Sequence, residues 1–226
     1  MNNSYVIKGG KRLKGSIVVN SSKNSAVAIL IASLLNKKKT TIKNLPKIEE
    51  VFRIIEILKS IGAEVKWIAS HAAEIIPPVK INLSKLNIEA ALKTRAMILL
   101  IGALAHKLKK FSLPFSGGCK LGRRTVMPHI YALENFGIKI KIKGGKYEVN
   151  RGKLKSCANI VLYESGDTTT ENAILAASLI PDKTVIKFAS ANYQVQDLCY
   201  FLTRLGIKIA GIGTTTLTIL GKKEIG

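Results

Sequence analysis

The stretch Ala132-Leu133-Glu134-Asn135-Phe136-Gly137-Ile138-Lys139-Ile140 sets the architecture, because two other segments of the chain repeat its pattern. The other copies read Ile57-Leu58-Lys59-Ser60-Ile61-Gly62-Ala63-Glu64-Val65 and Phe201-Leu202-Thr203-Arg204-Leu205-Gly206-Ile207-Lys208-Ile209. Each predicts an amphipathic helix that ends at a glycine and leads into an alternating strand. The three glycines are 75 and 69 residues apart, a regular spacing that indicates a repeated structural unit.

The rest of each unit follows the same order of elements. A helix that is apolar on nearly every side precedes each copy, over residues 26–35, 96–105 and 173–180. Such helices belong in the interior, since they have no polar face to present to water. β-type runs precede these helices at 16–19, 79–83 and 159–162, follow them at 40–42, 110–113 and 184–186, and close the later units at 147–149 and 217–219. We predict an α/β protein of three βαβαββ-like units, with inner apolar helices and with outer sheets and helices.

A glycine-rich loop in the middle unit carries the strongest chemical signal. It reads Phe115-Ser116-Gly117-Gly118-Cys119-Lys120-Leu121-Gly122-Arg123-Arg124 and places a thiol beside three cations. Positive charge stabilises a thiolate, because only the deprotonated form gains the attraction. Glycines also let backbone amides approach an anion closely. Cys119 is therefore predicted to be a reactive thiol near an anionic ligand.

The charge of the chain is strongly positive, with 36 Lys+Arg against 14 Asp+Glu, a net charge of +22 and a pI of about 10.0. Such a surplus attracts polyanions, and nucleic-acid binding is one hypothesis that it raises. The lysines are spread along the chain, however, and only 6% of residues are aromatic, which supplies few base-stacking platforms. We therefore predict no nucleic-acid partner and a composition-wide lysine bias.

The cysteines and the apolar runs bear on metal binding and on the cellular location. Cys119, Cys157 and Cys199 are far apart and lack the spacing of a disulfide framework or a metal site, and the histidines do not cluster with them. We predict no metal and no cofactor. The longest uncharged apolar runs are too short to cross a bilayer, and no signal peptide opens the chain. No membrane insertion and a cytoplasmic location are therefore expected.

Several of these residues together resemble the enolpyruvyl transferases, and most of all those that act on UDP-N-acetylglucosamine. The resemblance rests on Ser22-Lys23-Asn24-Ser25-Ala26, on Arg95 and on the pattern Gly117-Gly118-Cys119-x-x-Gly122-x-Arg124-x-Val126-x-x-His129. Thr170-Glu171-Asn172, before the third buried helix, also looks like family members. The fold implied by the resemblance is one inside-out barrel-like domain of three units, at about 16–78, 79–150 and 155–226.

Family members have two such domains with the reactants held between them. The resemblance implies that residues 1–15 form a first strand of the other domain, that residues 16–226 are the domain with the cysteine loop, and that the second domain is absent or on a separate chain. It further implies transfer of enolpyruvyl from phosphoenolpyruvate to the 3-hydroxyl of UDP-N-acetylglucosamine. That reaction is the first committed step of peptidoglycan synthesis. The resemblance therefore also implies roles in cell shape and cell division, and sensitivity to fosfomycin. With one domain alone, we expect half an active site and little turnover.

The resemblance also implies roles for individual residues. Cys119 matches the thiol that protonates or adds to phosphoenolpyruvate, and Lys23, Arg95 and Arg124 match the cations that hold this substrate. Residues that match contacts to the UDP-sugar are Asn24, Val126, His129, Ser165, Gly166, Asp167 and Thr168.

Departures from the family pattern keep an alternative open. Met127, Asn192 and Gln194 stand where family members carry acidic residues. These changes favour a non-catalytic module, derived from the same family, that binds a nucleotide sugar or phosphate without chemistry.

Overall fold

Helices and strands alternate along the computed structural model, which describes residues 4–115 and 125–226. They are, in chain order, α1 (Lys23–Ala32), β1 (Thr40–Lys43), α2 (Glu49–Ser60), β2 (Glu64–Ala69), β3 (Ala72–Ile76), α3 (Ile88–Leu92), α4 (Leu100–Leu104), β4 (Lys110–Pro114), α5 (Met127–Glu134), β5 (Ile138–Lys143), β6 (Lys146–Arg151), β7 (Ile160–Val161), α6 (Asp167–Ser178), β8 (Lys183–Lys187), α7 (Tyr193–Arg204), β9 (Lys208–Ala210) and β10 (Thr216–Leu220). Short 3₁₀ helices extend α1 at Ser33–Leu35, precede α3 at Leu83–Lys85 and lead into α4 at Arg95–Leu99.

The strands form three sheets that share one topology. The orders are β1-β3-β2, β4-β6-β5 and β7-β8-β10-β9. In each sheet the last strand of the chain lies between two earlier ones, and the third sheet has an additional strand, β7, at its edge. All pairings are antiparallel except that of β7 with β8, which is parallel. The predicted mixed α/β class is confirmed, and the same strand order recurs in each third of the chain.

Three helices contribute most of the buried interior. All five residues of α4 are buried, as are the last ten of the twelve residues of α6 and seven of the ten residues of α1. They pack on one another, α4 against α6 and α1 against the 3₁₀ helix Arg95–Leu99. The cause is the one that the sequence suggests: a helix without a polar face gains hydrophobic free energy only when it is covered on all sides.

The amphipathic helices cover this interior. α2 buries one face with Val51, Ile54 and Leu58, while Glu49 and Glu50 occupy its first turn. Glycines follow the three helices that the repeat predicts, and Gly62, Gly137 and Gly206 have φ angles of 108°, 81° and 101°. This left-handed conformation is one that other residues adopt at a cost, so the glycine at each helix end is explained by backbone geometry.

Two predicted strands are wrong. Residues 16–19 and 79–83 are not strands, although residues 159–162 contain the short β7. The segment 79–83 follows Pro77-Pro78, which lack backbone N–H groups and restrict the chain before it reaches the sheet. Residues 16–19 find no partner strand, and the whole of residues 5–22 contains neither helix nor strand. Apolar side chains of this segment are exposed, namely Tyr5, Val6, Ile7, Leu13, Ile17, Val18 and Val19.

The described helices also bear on membrane insertion. Within residues 4–115 and 125–226, none is long and apolar enough to cross a bilayer.

Candidate active site

One cleft of about 810 Å³ lies where the buried helices begin. α1 starts there with Lys23, the 3₁₀ helix with Arg95 and α6 with Asp167. The free backbone N–H groups of a helix N-terminus carry partial positive charge, so the starts of α1 and α6 favour anions. The cleft is lined by Lys23, Asn24, Val27, Ile48, Glu49, Glu50, Lys93, Arg95, Ala96, Leu99, Thr125, His129, Glu164, Gly166, Asp167, Thr168, Glu171 and Gln194.

Lys23 is held at the first residue of α1. The hydroxyl of Ser22 caps this helix by accepting a hydrogen bond from the backbone N–H of Ser25 at 3.2 Å. The Lys23 ammonium forms an ion pair with Glu50, whose other carboxylate oxygen accepts a hydrogen bond from Thr94 Oγ1 at 2.8 Å. Glu50 thereby connects Lys23 to the residue just before Arg95.

Arg95 projects from the start of the second buried helix and is half-buried. Thr94 caps that helix through its hydroxyl, which accepts from the N–H of Ala96 at 3.2 Å. The Arg95 guanidinium donates to the carbonyl oxygen of Thr125 at 3.3 Å. Its guanidinium and the Lys23 ammonium line the same cleft, as expected for two groups that bind one anionic substrate.

Asn24 is hydrogen-bonded toward the interior of the protein. Its Nδ2 donates to Gln194 Oε1 at 2.9 Å, and Gln194 has a small effect on the carboxyl of Glu171, whose pKa it lowers. Glu171 is 1% exposed, and its Oε1 has no hydrogen-bond partner within the described residues. Burial, followed by the nearby charge of Asp167, raises the pKa of Glu171 to about 8.

His129 is buried under the cleft on α5. Asn172 Nδ2 donates to His129 Nδ1 at 3.2 Å, so the proton of the neutral ring is on Nε2, which lies 3.4 Å from Thr168 Oγ1. Burial, with a smaller effect from the positive charge of Arg95, lowers the pKa of His129 to about 4. The imidazole is therefore neutral at physiological pH and acts here as a hydrogen-bonding group.

The start of α6 brings further predicted residues into the cleft. Gly166, Asp167 and Thr168 all line it. The Asp167 carboxylate is fixed by residues just before α7: Asn192 Nδ2 donates to its Oδ2 at 3.1 Å, and the hydroxyl of Ser190 donates to its Oδ1.

Two predicted residues lie beside the cleft, outside its lining. Ser165 donates its hydroxyl to the carbonyl oxygen of Ala189 at 3.2 Å, which holds the chain just before α6. Val126 is buried at the start of α5. Both support the walls of the cleft through neighbouring residues.

The predicted residues Cys119 and Arg124 lie outside the described residues. Among the others, the cleft brings together Lys23, Asn24, Arg95, His129, Gly166, Asp167 and Thr168. Most of these residues meet because they lie at the starts of the buried helices, whereas His129 is contributed by α5. Their roles toward substrates remain predictions.

Four of the five acidic residues of the cleft were not predicted as site residues. Glu49, Glu50, Glu164, Asp167 and Glu171 line it together with Lys23, Lys93 and Arg95, although the chain as a whole is strongly basic. Asp167 was predicted as part of a nucleotide segment, and Glu171 belongs to the family-like Thr170-Glu171-Asn172 without a predicted role. The other three lie in helices or loops without a recognisable motif. Over the described residues, no group of three or more His, Cys, Asp or Glu side chains is placed to hold a metal ion.

Comparison with known proteins identifies the family of this chain. A family model described as EPSP synthase (3-phosphoshikimate 1-carboxyvinyltransferase) matches residues 7–226. The UDP-N-acetylglucosamine 1-carboxyvinyltransferase of Bradyrhizobium diazoefficiens is 37% identical over 222 residues, which cover 98% of this chain and 51% of that enzyme. The UDP-N-acetylglucosamine 1-carboxyvinyltransferase 2 of Clostridium tetani is 36% identical over 223 residues, covering 99% and 53%. The chain thus spans about half the length of the curated relatives it matches.

Solved structures agree on the fold. The enolpyruvyl transferase NikO of Streptomyces tendae superposes with a TM-score of 0.80 at 20% identity, over 96% of this chain and 50% of that protein. An EPSP synthase of Acinetobacter baumannii gives a TM-score of 0.72 at 15% identity, over 96% and 49%. The resemblance inferred from the lysine–asparagine start of α1 and the cysteine loop is confirmed, and the chain belongs to the EPSP synthase family.

Proposed function

We propose that this chain provides one wall of an active site for enolpyruvyl transfer from phosphoenolpyruvate to the 3-hydroxyl of UDP-N-acetylglucosamine. In this reaction the sugar oxygen bonds to C2 of phosphoenolpyruvate and C3 transiently gains a proton. The C2–O bond to phosphate then breaks, C3 returns its proton, and phosphate leaves with the hydrogen of the hydroxyl. The site must hold two anionic reactants and stabilise the charge that moves onto phosphate.

The observation that carries the proposal is that members of both sets of predicted substrate residues line a single cleft. Lys23 and Arg95 supply cations for phosphoenolpyruvate at the starts of two buried helices. Asn24, His129 and the residues 166–168 supply hydrogen-bonding groups for the nucleotide sugar in the same space. The relatives that match nearly the whole chain bear the name of this reaction.

The proposal includes the architecture around the site. We assign three units at about 16–78, 79–150 and 155–226 to one inside-out barrel-like domain, with residues 1–15 joining a second domain. The recurrence of one strand order in three sheets supports this division. A second three-unit domain, in the same or another chain, would close the cleft, exclude water and complete the set of charges. The reaction belongs to peptidoglycan synthesis in the cytoplasm, and Cys119 would be alkylated by fosfomycin.

Phosphate release in the presence of both substrates tests this function. We expect little release from the 226-residue chain alone and a clear increase when the second half of the Bradyrhizobium diazoefficiens relative is added, with the intact relative as positive control. Lys23→Ala should abolish the increase. Lys93→Ala is the matched control, because Lys93 is a cation of the same cleft that pairs with Glu89 at its rim. No release from the combined halves would contradict the proposal.

A second candidate function is binding of the nucleotide sugar without chemistry. It is favoured by Asn192 and Gln194, whose neutral amides stand where family members carry acidic residues. In the structure these amides are hydrogen-bonded to Asp167 and to Asn24, respectively. Calorimetric titration with UDP-N-acetylglucosamine, together with mass analysis of Cys119 after fosfomycin treatment, separates the two functions. Binding with neither thiol alkylation nor phosphate release would favour the binding module.

A further inference from the structure

Both ends of the Asn172 side-chain amide, on α6, are hydrogen-bonded to the backbone of the neighbouring buried helix. Its Nδ2 donates to the carbonyl oxygen of Ile98 at 3.1 Å, and its Oδ1 accepts from the N–H of Gly102 at 3.0 Å. These backbone groups are four residues apart, where the 3₁₀ helix Arg95–Leu99 leads into α4. Asn172 is completely buried, so its amide bridges the two groups in the absence of competing solvent.

The backbone partners fix the orientation of this amide. A carbonyl oxygen only accepts and a backbone N–H only donates, so the amide nitrogen must face Ile98 and the amide oxygen must face Gly102. Turning the amide by 180° would break both hydrogen bonds at buried positions, which is costly. Nδ2 has a second hydrogen, and His129 Nδ1 lies 3.2 Å from Nδ2. Asn172 therefore presents a donor to the histidine ring.

This donor determines which nitrogen of His129 carries the proton. Nδ1 must accept from Asn172, so the proton of the neutral ring is on Nε2. Nε2 lies 3.4 Å from Thr168 Oγ1 and donates to that hydroxyl oxygen. The three side chains form a series from the interior to the cleft, and each of its hydrogen bonds has the direction set by the backbone at Asn172.

The Thr168 hydroxyl is the end of this series. Thr168 is in the first turn of α6 and lines the cleft, and among the described residues His129 is the one hydrogen-bond partner of its hydroxyl. Because the oxygen accepts from Nε2–H, the hydroxyl hydrogen is free for a ligand. With the ring proton on Nδ1, Nε2 would accept that hydrogen instead, and the ligand would meet only lone pairs. The tautomer of His129 thus decides whether Thr168 offers a donor or an acceptor.

We propose that Asn172 is a positioning residue that holds His129 in its Nε2–H tautomer, so that Thr168 donates its hydroxyl hydrogen to an oxygen atom of a ligand in the cleft. Phosphate and carbonyl oxygens only accept hydrogen bonds and fit this donor, whereas a ligand group that must donate is disfavoured. UDP-N-acetylglucosamine carries both kinds of oxygen, and its assignment as the ligand rests on the proposed function.

Ring-nitrogen resonances of the histidines, measured by NMR at pH 8, test the positioning role without any ligand. In the wild-type chain, His129 should be protonated on Nε2 and unprotonated on Nδ1. Asn172→Asp places a carboxylate, which only accepts, beside Nδ1, so the proton should move to Nδ1. Asn36→Asp is the matched control, because Asn36 is also buried and bonds to Thr40, outside the lining of the cleft. It should leave the His129 ring unchanged.

His106 is an internal reference for α6. Its Nε2 lies 3.0 Å from the carbonyl oxygen of Leu175, which only accepts, so this ring also carries its proton on Nε2. In Asn172→Asp we expect a changed His129 and an unchanged His106. A change at both rings would show that Asn172 only supports α6 and would contradict the proposal, as would a His129 tautomer that is the same in wild type and variant. Wild-type His129 protonated on Nδ1 would overturn the proposal even if the variant does not fold.

Calorimetric binding of UDP-N-acetylglucosamine supplies a second measurement. Thr168→Val removes the hydroxyl and should weaken binding about fivefold, the value of one ordinary hydrogen bond, whereas Thr168→Ser should bind like wild type. In Asn172→Asp the same Thr168→Val step should have almost no effect, because His129 Nε2 already holds the hydroxyl hydrogen. Repulsion between the new carboxylate and the ligand is common to both members of each pair and cancels. Equal losses in the two backgrounds would overturn the link between Asn172 and Thr168.

The identity of the ligand oxygen is tested separately. A loss in Thr168→Val for UDP as well as for UDP-N-acetylglucosamine places the acceptor in UDP, and a loss for UDP-N-acetylglucosamine alone places it in the acetamido sugar; either result supports the donor role of Thr168. A wild-type chain that binds neither would refute this ligand and count against the proposed function. The ring tautomers of His129 would still decide the positioning role of Asn172.

Discussion

Lys23 and Glu50 form an ion pair between the first residue of α1 and the first turn of α2, at the edge of the cleft. The pair occupies the ammonium that we assign to phosphoenolpyruvate. A bound anion must therefore compete with Glu50 for Lys23. Both side chains are partly exposed, so water screens the pair and the competition is modest in energy.

Glu50→Gln should tighten phosphoenolpyruvate binding by about twofold to fivefold, the range expected when an exposed ion pair is lost. The amide keeps an acceptor for Thr94 Oγ1, so the start of the next helix stays capped. Glu49→Gln is the matched control, since Glu49 lines the same cleft but pairs with Arg53. Calorimetry at low salt measures the difference. Equal affinity in the two variants would show that the ion pair does not compete with the ligand.

Gly102→Ala should destabilise the fold by about 1–3 kcal/mol, although alanine favours helices. Gly102 is in the buried α4, and a Cβ there would be 2.5 Å from Asn172 Oδ1 and 2.6 Å from the Asn172 carbonyl oxygen. It would also disturb the hydrogen bond from Gly102 N to Asn172 Oδ1 at 3.0 Å. Urea unfolding measures the free energy. Gly9→Ala is the control, because nothing lies within 4 Å of its added Cβ; equal effects at both sites would contradict this account.

Acid should destabilise the protein through His129. Its pKa is about 4 in the folded chain and about 6.5 in the unfolded chain, so between these values the unfolded state binds more protons. Stability therefore falls as pH drops from 6.5 to 4, by roughly 3 kcal/mol at most, and this dependence ends below about pH 4. Glu171 has the opposite slope from pH 4.5 to 8, because its pKa is raised on folding.

The difference between wild type and His129→Gln isolates the histidine from Glu171. Relative to the urea midpoint at pH 7, the midpoint at pH 4.5 should be higher in the variant than in wild type, because the variant loses the proton uptake of His129 on unfolding. An unchanged difference between the two midpoints would show that His129 does not titrate on unfolding.

The cysteines should differ sharply in reactivity. Cys199 is fully buried and its thiol pKa is raised to about 12, so little thiolate forms. Cys157 is half-buried, and Cys157→Ala removes it from the measurement. Iodoacetamide at pH 7.5 should then attach one label to the native chain, at Cys119, as read by peptide mass analysis. Label at Cys199 without denaturant would contradict the buried position of α7.

The sequence predicts the periodic parts of the fold well. The predicted helices at 26–35, 96–105 and 173–180 are found as buried helical segments, except at their last one or two residues in the second and third copies. Helices that are apolar on every side are stable only in the interior. The helix end at the glycine after each amphipathic helix is predicted equally well. The chain there has a positive φ angle, which is a local requirement that glycine meets. Strands at 16–19 and 79–83 fail because a strand depends on a partner elsewhere in the chain, which local pattern does not reveal.

The site is predicted where a motif marks it. Lys23, Asn24 and Arg95 are found together in the cleft because each lies at the start of a predicted helix. Glu171 and Glu50 are not found as site residues. Glu50 is an acidic residue in the first turn of α2, a position that is common for acidic residues in helices and that indicates no function. The burial of Glu171 follows from packing between α6 and α7. Such roles arise from contacts between distant segments, which a single sequence does not display.

The exposed apolar segment of residues 5–19 governs how the protein behaves at high concentration. Tyr5, Val19 and the five apolar residues between them are each at least 83% exposed, a surface that adheres to like surfaces. Repulsion between molecules of charge +22 opposes this adhesion. Because the range of that repulsion shrinks from about 10 Å at 0.1 M salt to about 3 Å at 1 M, concentrated salt removes the barrier and leaves the attraction. We therefore expect added salt to lower the solubility of the protein, and the cause would be one short exposed segment.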